Sequence, residues 1–184
     1  LGYDTKFDNG VGLSITGNIS SYHREVTSLP ESVLTGYPGD PAHGKSIIGH
    51  SDLAQFGYVA DGLFQNQAEV DAYAVQSGKG VGRIRYKDIG GLDANGQYVE
   101  MPDGVVNDLD RTFIGDPNPN FEYGLDMRVD YKGFDLAVFL QGISGAEVYN
   151  DYKHLTDFSS IWPGTNFGTR TLEAWSPTNT SSTI

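Results

Sequence analysis

Phe121-Glu122-Tyr123-Gly124-Leu125-Asp126-Met127-Arg128-Val129-Asp130-Tyr131 is the stretch whose reading decides the fold. Its apolar residues, Phe121, Tyr123, Leu125, Met127, Val129 and Tyr131, alternate without a break with Glu122, Gly124, Asp126, Arg128 and Asp130. Period two over that length is the signature of a β-strand with one apolar and one polar face. Lys132-Gly133 follows, a short turn with glycine where a positive φ is needed. A second strand is then expected over 135–144, with Leu136, Val138 and Leu140 on one face. The hairpin has aromatic ends, Phe121 and Tyr123 at one and Tyr131 and Phe134 at the other. A strand of about 9–11 residues with aromatic ends and a polar reverse side suits the wall of an outer-membrane barrel. An ordinary hairpin with one solvated face has the same pattern.

Working outward, Val11, Leu13, Ile15 and Ile19 share a face opposite Ser14, Thr16 and Asn18, so a strand is expected over about 11–28. Asn9-Gly10 before it is a hairpin turn signal, which makes 1–7 the preceding strand. Between these strands lie residues 30–120, too long for a plain hairpin loop and therefore a structured excursion. One short helix is expected there, with Asn66 as N-cap and Gly78 as its stop. The fold class is thus all-β and antiparallel, with barrel-type strands and a long loop. The chain opens at Leu1 and ends in a polar tail at Ile184, so both ends are expected to be cuts from something longer.

Composition narrows the function. Twenty-four acidic residues against 12 basic give a net charge of −12. Nucleic acid is an improbable partner for such a surface, because phosphate binding needs clustered Lys and Arg. Cysteine is absent, which removes disulfide scaffolds, zinc–thiolate sites and cysteine nucleophiles. No run of about 18 apolar residues exists to form a transmembrane helix, which leaves strands open as a way across a membrane.

Several motifs fail for want of context. Gly39 to Ser46 fits G-x-x-x-x-G-K-S, but no buried strand precedes it and no helix start follows. Gly78-Lys79-Gly80-Val81-Gly82 follows a helix and precedes a strand, the reverse of a dinucleotide loop. The four histidines lack zinc-hydrolase spacing, and no G-x-S-x-G elbow occurs. The acidic stretch 88–110 offers oxygen ligands and glycines of the kind calcium loops use, with Asp93, Asn95, Asp103, Asn107, Asp108 and Asp110 as candidates. Their spacing differs from the EF-hand loop, and on spacing alone solvated acidic turns are the favoured reading. Tyr58, Phe64, Tyr73, Tyr86 and Tyr98 are candidates for stacking on a substrate or partner, or for packing the excursion's own core.

Ordered strings then add a resemblance. Phe56 to Gln65 with Gln67 to Val70 is similar to the "GYVADGIFQ…EEV" segment of the SusC/RagA family, TonB-dependent outer-membrane transporters of the Bacteroidetes type. Gly82 to Asp88 resembles that family's "G-x-I-x-Y-K-D", Asp103 to Arg111 its "DGVIDDNDR", and Ile114 to Pro119 its "IGNPNP". Tyr131 to Leu136, Phe139 to Gly142 and Trp175 to Thr178 follow in family order. The resemblance implies a late part of the barrel, without signal sequence, plug, TonB-box end or terminal strand. It implies uptake of glycans or oligopeptides, energy through TonB, a SusD-like surface lipoprotein as partner, outer-membrane lipid around the strands, and no enzyme activity. It places the turns at Asn9-Gly10 and Lys132-Gly133 in the periplasm and residues 30–120 outside the cell. In one place the chain departs from the family. An insertion, Gly90 to Pro102, splits the compact K-D-x-N-G-D-G-x-I-D loop, so any Ca2+ ligands it implies lose their spacing, with Asp93 and Asn95 as substitutes. A soluble carbohydrate-binding β-domain and a glycosidase fragment with paired carboxylates are the rival readings.

Overall fold

A computed structural model describes residues 1–158, 164 and 166–182. In chain order the strands are β1 (Gly2–Lys6), β2 (Gly12–Ser20), β3 (Gln55–Gly57), β4 (Ala60–Leu63), β5 (Val75–Gln76), β6 (Ile84–Tyr86), β7 (Gly91–Leu92), β8 (Tyr98–Val99), β9 (Val105–Val106), β10 (Thr112–Gly115), β11 (Phe121–Tyr131) and β12 (Phe134–Ser144). The α-helices are α1 (Glu31–Leu34), α2 (Gln67–Ala72) and α3 (Asp151–Asp157). None of the described helices is long and apolar enough to cross a membrane. The chain divides into two compact units, one of residues 1–28, 48–54 and 115–148, the other of 29–47, 55–114 and 149–184.

The first unit is an antiparallel four-stranded sheet in the order β1-β2-β11-β12. Its two hairpins have the turns their residues demand. Lys132 and Gly133 both take positive φ, 48° and 88°, the type I′ geometry whose twist matches the strands. Asp8-Asn9-Gly10 forms a three-residue loop closed by the Phe7 N–H on Val11 O at 2.8 Å, with Gly10 at φ 86°. The two hairpins join through β2 and β11, where Ile15 opposes Met127 and Ser20 opposes Glu122. Residues 21–120 therefore leave and return at the end of the sheet marked by Ser20, Glu122 and Ser144, while both turns lie at the other end.

Register places every period-two set on one side. Tyr3, Leu13, Ile15, Ile19, Tyr123, Leu125, Met127, Val129, Leu136, Val138 and Leu140 share the apolar face; Asp4, Lys6, Ser14, Thr16, Asn18, Glu122, Asp126, Arg128, Asp130 and Gln141 share the other. None of the six stripe residues Leu125, Met127, Val129, Leu136, Val138 and Leu140 is buried, and Leu136 stands 62% exposed. Among the described residues the sheet remains open, with β1 and β12 as its edges. The strand from Val11, expected to reach residue 28, ends at Ser20. Beyond Ser20 it has no ladder partner, because β11 begins at Phe121; the Ser21 hydroxyl donates instead to Asn120 O at 2.7 Å, and Val26 makes a single bridge to Ile48.

The second unit is built from two-stranded pieces, β3 with β10, β4 with β6, β5 parallel to β9, and β7 with β8. Phe64, Ile47 and Val70 are its buried apolar residues, and Phe56 meets Phe113 edge-on at 5.1 Å. Two α-helices, rather than one, lie within 30–120. Asn66 caps α2, its Oδ1 accepting from the Glu69 N–H at 2.9 Å while Glu69 Oε1 accepts from the Asn66 amide at 2.8 Å. The helix stops at Ala72, short of Gly78, because Val75 and Gln76 are drawn into pairing with Val105 and Val106. One lysine gathers carbonyls at and just past its end: Lys79 Nζ donates to Val70 O at 2.8 Å, Tyr73 O at 3.0 Å and Ala74 O at 3.4 Å. A cation there also complements the helix dipole. Lys79→Met should therefore weaken the helix end by about 1–2 kcal/mol. Hydrogen exchange at residues 70–74 should quicken by roughly five- to thirtyfold; an unchanged rate would contradict this capping role.

Candidate functional site

The insertion at 90–102 folds as a small hairpin, β7 against β8, and two carboxylates hold its feet. Asp110 is fully buried. Its Oδ1 accepts from the Ile89 N–H at 2.7 Å and the Gly90 N–H at 3.0 Å, and its Oδ2 from the Asn107 N–H at 2.7 Å. Asp88 takes the other foot, its two oxygens accepting from the Asp103 N–H at 3.2 Å and the Gly104 N–H at 2.8 Å. Asp88 and Asp103-Gly104 thus remain neighbours although the insertion parts them in sequence. Gly90 is required where it stands, since a Cβ there would meet Leu109 O at 2.6 Å and the Tyr98 ring at 2.7 Å.

The six candidate calcium ligands do not converge. Asp93 Oδ1 accepts from the Asn95 and Gln97 N–H groups, both at 2.8 Å, and so shapes the tip of the inserted hairpin. Asp103 Oδ1 accepts from the Val105 N–H at 2.9 Å, and Asn107 Oδ1 from the Leu109 N–H at 2.8 Å. Asp108 accepts from the Tyr58 hydroxyl at 3.1 Å and lies 3.8 Å from Arg111. Among the described residues no group of three or more His, Asp or Glu is placed to hold a metal. Most of these oxygens serve local backbone donors, which is what Asx residues do in turns.

The Asp93 carboxyl is fully exposed, yet the Gln97 and then the Asn95 N–H hold its pKa below the ordinary 3.8. A group whose pKa falls on folding stabilises the fold above its unfolded value and loses that effect as pH falls through the lowered one. Protection of the Asn95 and Gln97 amides, corrected for intrinsic exchange, should therefore be constant from pH 7 to 5 and weaken only below 3.8. Loss of protection already at pH 5 would contradict it.

Of the five aromatic candidates one is fully buried and four are partly packed within the excursion. Phe64 has no exposed surface and packs edge-on against Tyr73 at 5.4 Å, so it cannot touch a ligand. Tyr58 and Tyr86 lie ring to ring at 5.2 Å. Tyr73 donates its hydroxyl to Tyr86 O at 2.8 Å beneath the Arg85 guanidinium, 5.5 Å from its ring. Lys45 Nζ stands 4.5 Å over Tyr98 and donates to the carbonyls of Leu109 and Arg111. Burial, helped by the Asp108 carboxylate at Tyr58 and by Asp61 at Tyr73, pushes both phenols above their ordinary value. The four tyrosines are half-buried, and two keep an edge in open depressions of about 460 Å³ on either side of Ile89 and Pro102. One depression is lined by Asp61, Tyr73, Lys87 and Asp88, the other by Lys45, Tyr98, Glu100 and Thr112.

Sequence reading passed over Asp61, Arg85, Gln76 and the clamp role of Asp88. Arg85 binds Asp61 through Nε at 3.2 Å and through the Asp61 carbonyl at 2.9 Å, and approaches Glu69 at 3.7 Å. Buried Gln76 serves as an extra strand residue beside β6, donating to Ile84 O at 2.8 Å and accepting from the Tyr86 N–H at 2.9 Å. A signal for Asp88 existed: it closes the string Gly82 to Asp88 just before the residue 90–102 hairpin.

No protein-family profile matches the chain. Two curated relatives do. TonB-dependent receptor P3 of Formosa agariphila is 32% identical over 178 residues, 91% of this chain. TonB-dependent receptor P26 of the same organism is 28% identical over 138 residues, 75% of this chain. The aligned stretches are 16% and 13% of those two receptors' own lengths.

Proposed function

We propose, from homology over most of its length to segments of two TonB-dependent receptors, that this chain is a late barrel segment of an outer-membrane importer of the SusC/RagA type. Its parent takes up glycans or oligopeptides, with TonB acting through a part of the protein beyond this chain and a SusD-like lipoprotein sharing the substrate. The observation that carries the reading is the two-faced sheet. One face is apolar across all four strands with aromatics at its ends; the other carries the charges and amides. Eleven residues of β11 at a rise of ~3.3 Å extend ~36 Å, and a tilt near 45° leaves ~26 Å, the height of a barrel's apolar band. Short turns at one sheet end, with the chain leaving and re-entering the sheet at the other, agree with periplasmic turns and an extracellular loop. The exposed tyrosine edges and acidic rims of the excursion then face the lipoprotein or the substrate. Nothing in this reading asks the chain for covalent chemistry.

The test is fractionation of the full-length parent in its native host, followed by single cysteines introduced along β11; the segment itself has none. Outer-membrane recovery, lipid-phase labelling at positions 125, 127 and 129, and aqueous labelling at 126, 128 and 130 are expected. Recovery in a soluble fraction would favour the carbohydrate-binding domain instead.

A further inference from the structure

Within the second unit, the chain after β12 comes back onto the excursion. A 3-10 turn at Thr169–Glu173 is held beside α3, where the Gly168 N–H donates to Thr156 O at 3.1 Å and Arg170 lies 3.5 Å from Asp157. Residues 173–182 then meet the segment 64–82 at two points. Gln65 Nε2 donates to Ser182 O at 3.0 Å, across 117 positions of sequence. The Trp175 indole lies on Gly82, where a Cβ would meet its ring at 2.6 Å. Gly82 also takes φ 76°, so both its backbone and the indole's seat require glycine. The seat adjoins the core: the Gly82 N–H donates to Phe64 O at 2.7 Å, and Phe64 is fully buried.

The stretch 173–182 is also closed on itself. Glu173 O accepts from the Ser182 hydroxyl at 2.6 Å and from the Asn179 side-chain amide at 2.9 Å, which ties its two ends together. Between them the Asn179 N–H donates to Ser176 O at 2.9 Å and closes a turn. A compact loop whose ends meet and whose turn is its own is an Ω-type loop, able to move as one body. Its docking is imperfect. Trp175 Nε1 and Gln65 Oε1 are buried without a hydrogen-bond partner among the described residues. One is a donor and the other an acceptor, and they belong to the two side chains that make the contact. Each gives up water on docking and gains no bond in return, whereas an open loop rehydrates both. Burial of the indole favours closing, and the two orphaned atoms oppose it by a similar amount.

We infer that residues 173–182 form a releasable strap. It closes over Gly82 through Trp175, and it opens as a unit while the excursion beneath stays folded. When closed, it fastens the chain that follows β12 to the excursion; when open, it uncovers Gly82 and the Gln65 amide.

The test uses the intact protein with Ser182→Cys as its sole cysteine. Ser182 is only 7% exposed, so alkylation of a thiol there by iodoacetamide under native conditions reads opening of the strap. Hydrogen exchange at Phe64 and Gly82 reads opening of the excursion. The opening constant from the thiol should exceed that from the two amides at least tenfold, the mark of a local opening. Equal constants would make strap and excursion one cooperative unit and overturn the inference. Adding Trp175→Ala should bring alkylation to within threefold of its rate in the free peptide 173–182, with exchange at Tyr86 unchanged. Alkylation that stays slow, or faster exchange at Tyr86, would each overturn it. Putting 3-benzothienylalanine in place of Trp175 keeps the ring shape and removes the N–H. Alkylation should then slow at least threefold, and an unchanged or faster rate would show that the orphaned N–H is not what keeps the strap releasable.

Discussion

Replacing Asp110 with alanine should open the inserted hairpin and its neighbours by about 3–5 kcal/mol, the largest single effect expected in the excursion. The carboxylate receives three backbone N–H groups from two segments far apart in sequence, Ile89 and Gly90 on one side and Asn107 on the other. It has no exposed surface through which water could replace it. Each orphaned buried donor costs about 1–3 kcal/mol, with part recovered by relaxation. Asp110→Asn keeps the volume but turns an NH2 toward N–H donors, so about half the loss should remain. Hydrogen exchange at residues 89, 90 and 107 in the intact parent reports the opening, and proteinase K cleavage within 90–102 should rise in parallel. Unchanged exchange in the alanine variant would show that the clamp is not what holds the hairpin.

If the apolar face is a barrel wall, as proposed, a lysine at Met127 should cost about 2–4 kcal/mol of stability, the penalty for a cation near the bilayer midplane. Met127 stands in the row Tyr3–Ile15–Met127–Val138, one position from the middle of β11, on a face with no charged residue among its four strands. A lysine at Thr16 tests the same charge one row away on the opposite face, where Asp126 is its direct cross-strand neighbour. That change should be neutral within about 0.5 kcal/mol, as expected for an opposite-charge pair on a wet surface. Outer-membrane abundance of the heat-modifiable form and its urea midpoint measure both. Equal behaviour of the two variants would show that the apolar face does not meet lipid.

Much of this was legible in the chain. The alternation at 121–131 specified which side chains share a face, because side chains in a strand point to opposite sides with a period of two and nothing distant can change that. Lys132-Gly133 and Asn9-Gly10 specified both hairpins, because only residues tolerant of positive φ close such turns. Asn66 marked the start of α2, because an Asx side chain satisfies the helix's first free N–H groups. Each of these is a local rule, complete within a dozen residues.

What the tertiary structure decided is non-local. The pairing of β2 with β11 joins residues about a hundred positions apart, and it alone brings Asn18 beside Gly124 and ends β2 at Ser20 rather than near residue 28. The acidic stretch 88–110 read as a set of oxygen ligands because composition does not say where a carboxylate points. In the fold Asp88 and Asp110 turn inward to the feet of one hairpin, and Asp93, Asp103 and Asn107 close their own turns. Phe64 likewise read as one aromatic among five, and only packing against Tyr73 removed it from the surface. Local sequence determined the faces and the turns, since those follow from backbone geometry. Which polar groups are free for a ligand was settled by the fold, since a buried N–H takes whichever carboxylate the distant chain brings to it.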